Sequence, residues 1–371
     1  MGSNKQSKRI FYFDALRALA IITVIMFHIF LRVENNVAPL YSIHPPFIWW
    51  ETDFLATVCR CGVTIFLMLS GALSLGRQWE IKPFLKKRIP RIALPFAFWV
   101  TVLTCIIVLL YAFFNMDAII NYFPNFEPMT ILKFYYNAIM GDTMWFTPYW
   151  FFWMILGTYL FMPIINKWLL HADLKEAEYF LAFWLITCLF DYTFKMKFPI
   201  SLSYFAGPMG FVVLGYYLRH TERRIFNNIY YAIAIFIVSA AALMGLSYMF
   251  SDTNSFFLFN RYAILFSFEV AAIFCIFKNF GQLNLNFKFL TCPDSTFRKF
   301  IFSVAKYSYG IYLIHQFVLN ILILLLANRL NFTVYIVTLI VFTLLISLGI
   351  LAVLNRIPYL NQVIGAKWIF P

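Results

Sequence analysis

The sequence predicts an all-α polytopic membrane protein with about ten transmembrane helices and both termini in the cytoplasm. Three observations carry that expectation. Of 371 residues, 63% are apolar and 12% charged, against about 45–50% and 25% in soluble domains. A soluble core of this composition would lack the polar surface to cover itself. The apolar residues fall into runs of about 20, the length that crosses a hydrocarbon core about 30 Å thick. The basic residues gather in the short segments between those runs. Disorder is excluded by 46 Phe, 22 Tyr and 10 Trp, which cannot stay solvated.

Taken in order, the candidate spans cover residues 10–31, 54–75, 91–114, 147–166, 178–194, 200–218, 227–250, 258–277, 302–327 and 333–355. The first follows Lys5, Lys8 and Arg9, as the core of a secretory leader would. It also carries Asp14, Arg17 and His28, and no small-residue cleavage site follows, so it reads as a retained helix. The third begins after the basic run Lys82 to Arg91. The fifth and sixth are short, separated only by Lys195-Met196-Lys197-Phe198-Pro199. With the N-terminus inside, 20 Lys and Arg fall in inside segments and 6 in outside segments, the asymmetry that sets orientation. This placement accounts for most of the net charge of +13, and no nucleic-acid partner is needed.

The longest loops, residues 32–53, 115–146 and 278–301, are too short for a soluble domain. Residues 1–371 therefore read as one membrane-embedded domain. Phosphate-cradling and dinucleotide-binding glycine motifs are absent. Cys59, Cys61, Cys105, Cys188 and Cys275 lie in or against apolar runs and Cys292 in a basic loop. Their spacing points to neither a disulfide framework nor a metal site.

Ionisable groups inside a span are expensive and mark function by default. Asp14, Arg17 and His28 share one face of the first helix, at offsets of three and eleven residues. Arg17 and His28 are then roughly 16 Å apart along the axis, at 1.5 Å per residue. One polar stripe runs most of the way across the bilayer. The competing reading is a structural stripe packed against polar groups of neighbouring helices.

The run Phe13-Asp14-Ala15-Leu16-Arg17-Ala18-Leu19-Ala20, ending in Met26-Phe27-His28, resembles the opening signature of the acyltransferase-3 family. These are integral-membrane enzymes that O-acylate surface carbohydrates. Further resemblances follow in order: Gly62-Val63-Thr64-Ile65-Phe66-Leu67-Met68-Leu69-Ser70-Gly71; Arg88-Ile89-Pro90-Arg91; Trp150-Phe151-Phe152 to Tyr159-Leu160-Phe161-Met162-Pro163; Tyr204 to Tyr217; and Ser308-Tyr309-Gly310-Ile311-Tyr312-Leu313-Ile314-His315. Thr64 departs from the family pattern, standing where many relatives carry an acidic residue. The chain ends about sixteen residues after the tenth span. It is therefore expected to lack the esterase-like domain that some relatives append, and it resembles the stand-alone O-acetyltransferases of lipid-linked or polymeric surface sugars.

The resemblance implies an acyl donor from the cytoplasm, most simply acetyl-CoA, used as a substrate with no permanently bound cofactor. It further implies a carbohydrate acceptor, lipid-linked in some relatives, met at the outer face of the cytoplasmic (inner) membrane. Lys86, Lys87, Arg88 and Arg91 sit at the expected cytoplasmic mouth. Arg binds phosphate through a rigid fork and Lys as a point charge; ordinary inside-positive topology competes for the same residues. His28 suits a general base, because neutral imidazole accepts a proton near pH 7. No GxSxG motif suggests a serine acyl-enzyme, so direct transfer is preferred, with an acyl-histidine intermediate left open. Arg17 is placed to orient the donor or stabilise developing charge, with Asp14 holding its guanidinium.

Arg60 is a candidate for acceptor binding or for snorkelling to the interface. Trp145, Trp150 and Tyr159 offer faces for sugar rings, in competition with belt and core packing. His315 reads first as a packing or hydrogen-bonding histidine and second as catalytic. Glu269 is an intramembrane carboxylate without a counterpart in the family pattern, and His44 and His171 lie in expected loops. Larger acyl groups such as succinyl remain open. A glycan transporter or flippase is the competing class, disfavoured because no inverted repeat is visible.

Overall fold

A computed structural model describes residues 10–37, 58–114, 127–143, 145–194, 203–249, 262–283, 292, 294–326 and 329–366. Lys5, Lys8, Arg9, His44 and the Lys195–Pro199 connection lie outside these residues. Among the described residues the regular structure is helical: α1 (Phe11–Val37), α2 (Gly62–Ser74), α3 (Ile81–Phe114), α4 (Pro128–Met140), α5 (Trp150–His171), α6 (Leu174–Thr187), α7 (Ser203–His220), α8 (Ile229–Met249), α9 (Ile264–Asn279), α10 (Thr296–Leu326), α11 (Phe332–Leu354) and α12 (Leu360–Val363). A wider π-helical stretch, Cys188–Phe194, continues α6.

Seven of these, α1, α3, α5, α8, α9, α10 and α11, are long and apolar enough to cross a membrane. The other three expected spans correspond to α2, α6 with its π-helical continuation, and α7. At 13 residues, α2 is about 20 Å long, shorter than the hydrocarbon core, and almost wholly enclosed by protein.

The third helix begins about ten residues earlier than expected. Pro90 and Pro95 both lie inside α3, and the basic run is helical rather than loop. Likewise α4 occupies part of an expected loop. Pro128 sits in its first turn and Gly141, at φ 81°, closes it in a left-handed conformation, the usual punctuation of a short helix. Phe134 and Ala138 of α4 are buried while Met129, Leu132 and Tyr136 are exposed.

At the centre, α1 packs on α2, α9, α10 and α11, with Leu16, Ala18, Ala20 and Ile21 fully buried. α1 and α10 run parallel: Phe11 meets Phe302 near one end and His28 meets His315 near the other. α2 and α7 run antiparallel at close range. A Cβ on Gly71 would collide with the Val212 backbone, and one on Gly215 with the Met68 backbone. Without a hydrophobic force to drive helices together in lipid, such small residues permit the close packing that does. Glu178 of α6 accepts a forked pair of bonds from Arg223 at 2.6 and 2.5 Å, tying α6 to the turn after α7. That fork raises Arg223 further above the ordinary guanidinium pKa.

Candidate active site

The polar stripe of α1 begins with an ion pair. Arg17 Nη1 donates to Asp14 Oδ1 at 3.1 Å, and both residues are buried. A spacing of three brings them onto one helical face. The ends of several other helices add cations at the same level. Arg219, in the last turn of α7, donates to the Ala72 carbonyl of α2 and lies 5.3 Å from the Phe13 ring centroid. Arg298, at the start of α10, lies 4.1 Å from that of Phe11.

Arg88 enters this level from α3. Its Nη2 donates to Ser74 Oγ at 2.9 Å, and its guanidinium lies 5.6 and 5.9 Å from the ring centroids of Phe84 and Tyr159. Arg77 and Arg91 stand close enough to interact with it electrostatically. Asn166 of α5 fixes the intervening turn, accepting from Gly76 N–H at 2.9 Å and donating to the Arg77 carbonyl at 3.0 Å.

Two residues stand apart from the groups the sequence put them in. Lys87, grouped with Arg88 and Arg91, is exposed while Arg88 is buried and Arg91 half-buried. Adjacent residues on a helix point to different faces, and residues three apart share one. Tyr159 was expected near the acceptor with Trp150. It lies nine residues further along α5, about 13 Å at 1.5 Å per residue, and packs fully buried against Arg88.

The other end of the stripe is built differently. His28 is half-buried, and its ring centroid lies 5.3 Å from that of His315, with the planes tilted by 43°. His315 is fully buried. Arg60, ahead of α2, lies 5.2 Å from the ring centroid of Phe27, the neighbour of His28. The segment before α5 closes onto α10 through two reciprocal bonds. Tyr149 Oη donates to the Leu313 carbonyl at 3.0 Å, and Tyr312 Oη donates to the Pro148 carbonyl. Trp145 packs on Phe317 at 5.8 Å, while half-buried Trp150 opens α5 beside the clamp.

Glu269 stands apart. It is fully buried in α9, both carboxyl oxygens lack a hydrogen-bond partner among the described residues, and it lies within electrostatic reach of Cys59 and Cys61. The sequence reading missed two features. Arg219 was counted only as a topological charge, although its place in the last turn of a helix was a usable signal. The tyrosine clamp joins distant segments and leaves no local signature.

The acyltransferase-domain model of the acyltransferase-3 family matches residues 10–352, which run from the residue ahead of α1 into the last turn of α11. No curated protein and no solved structure matches the chain. The match covers both ends of the stripe on α1, the guanidinium cluster and the histidine pair: the chain belongs to the acyltransferase-3 family and is a multi-pass membrane acyltransferase.

Proposed function

We propose that the protein transfers an acyl group, most simply acetyl, from cytoplasmic acyl-CoA to a hydroxyl of a surface or lipid-linked carbohydrate, with His28 as general base. The observation that carries this reading is the architecture of α1. One end lies among buried and half-buried guanidinium groups and the other, roughly 16 Å away, holds a histidine. The guanidiniums suit the phosphates of coenzyme A, and the charge asymmetry of the loops puts that end in the cytoplasm. The flexible tail of the donor then extends along the stripe towards His28, where an acceptor entering from outside meets the thioester.

In this mechanism the acceptor oxygen attacks the thioester carbonyl as His28 takes the hydroxyl proton. The new C–O bond forms, the C–S bond breaks, and the coenzyme A thiolate recovers the proton from His28. Arg17, steadied by Asp14, orients the donor or stabilises its developing charge. In this reading Arg60 and Trp150 serve the acceptor, and Arg88 and Arg91 the donor.

The test is donor-dependent labelling. Purified protein is incubated with acetyl-CoA carrying a labelled acetyl group and with glycan extracted from the host surface. Label should pass to the glycan with wild-type protein. His28→Gln keeps polarity and approximate size but cannot act as a base. It should leave thermal unfolding and coenzyme A binding near wild type and remove transfer. Transfer by His28→Gln at close to the normal rate overturns the assignment.

A further inference from the structure

A histidine works as a base only when one ring nitrogen is bare and aimed at the proton it takes. His315 has the geometry to enforce that on His28. Its Nδ1 lies 2.7 Å from the Tyr312 carbonyl oxygen and 3.3 Å from that of Ile311. Carbonyl oxygens only accept, so Nδ1 carries the proton, and a neutral imidazole then presents Nε2 as a lone-pair acceptor. Nε2 is buried and has no hydrogen-bond partner among the described residues. Buried polar atoms are nearly always satisfied, so this nitrogen is open to a partner beside it. The ring of His28 is beside it, at 5.3 Å between centroids.

We infer that His315 is a positioning residue for acyl transfer: its Nε2 accepts the N–H of the His28 imidazole and so keeps the other nitrogen of His28 bare for the acceptor hydroxyl. This rests on the reading of His28 as base. In the resting arrangement the rings touch without that bond, and such bonds commonly tighten only when substrate is bound. The turn that carries His315 is held by two bonds. Tyr312 is bonded through its hydroxyl to Pro148, and the Leu313 carbonyl accepts from Tyr149. During the step the hydroxyl proton moves to His28 and stays there until the thiolate takes it. His315 keeps its own proton on Nδ1 throughout, and its bond from His28 strengthens while His28 is cationic.

Two measurements test this. In wild-type protein labelled with 15N-histidine, only five histidines contribute, and His315→Gln assigns the resonance. A protonated Nδ1 with a bare, pyridine-type Nε2 is expected; a proton on Nε2 in the wild-type protein overturns the inference. The kinetic arm compares His315→Gln, whose amide oxygen can still accept near the Nε2 position, with His315→Phe. The Phe variant should lose about 10²–10³-fold in kcat, within the range a positioned base supplies, with the KM for acetyl-CoA unchanged. The Gln variant should recover most of that loss. Equal kcat in wild type and His315→Phe overturns the role. Failure of the wild-type protein to transfer any acyl group strikes the proposed function instead, because the tautomer is read without turnover.

Discussion

Arg88 and the neighbouring Lys87 present different faces of α3. Arg88 is buried against Ser74, Phe84 and Tyr159, whereas Lys87 is exposed. Replacing Arg88 and Arg91 together by Ala should weaken coenzyme A binding by about one to two orders of magnitude per lost contact, since a charge-assisted hydrogen bond contributes roughly 1.5–3 kcal/mol. Lys87→Ala should change it far less. Isothermal titration with coenzyme A separates the two, and equal losses at 87 and 88 would return the cluster to plain topology. Tyr159 provides a second check on placement. With its ring under Arg88, Tyr159→Ala should raise the KM for acyl-CoA and leave that for the acceptor unchanged. A selective rise in acceptor KM would put Tyr159 back with Trp150.

Between helices, α2 and α7 cross at close range, at Gly71 and Gly215. Gly71→Ala forces a methyl group into the Val212 backbone, and overpacking of this kind costs about 1–3 kcal/mol. Gly349 in α11 has open space around it. Gly349→Ala should therefore be neutral or stabilising, by up to about 1 kcal/mol from helix propensity. Thermal unfolding in detergent measures both, and equal melting temperatures would mean that the crossing is looser than described. The tyrosine clamp belongs to the same scale. Tyr149→Phe removes one side chain-to-backbone bond between the α5 entrance and α10, a loss of about 1 kcal/mol.

For the molecule as a whole, the contacts along α1 and α10 put Arg17, Arg88, Arg219 and Arg298 at one end and His28 with His315 at the other. The proposed orientation rests on the asymmetry of 20 basic residues to 6, which favours the cytoplasmic side for the first end. Reporter fusions at Lys5 and at Trp368 should both report the cytoplasmic side. An external signal at either position would invert the assignment, and with it the side from which the donor enters.

Composition and apolar run length alone determined the membrane class, the approximate positions of the helices and the stripe Asp14–Arg17–His28. Those features depend on residues close in sequence, and helical periodicity places them without knowledge of neighbours. The family resemblance was legible for a similar reason, as short motifs repeated in order along the chain. Helix ends were less legible, because Pro90 and Pro95 are tolerated inside α3 where a soluble helix would normally break. Only the tertiary structure decided that His28 meets His315, that Tyr159 lies with Arg88, and that Arg88 rather than Lys87 turns inward. Each depends on which faces of distant helices pack together. In this chain nearly every face is apolar, so hydrophobic periodicity carries little information about which one is buried against protein and which against lipid.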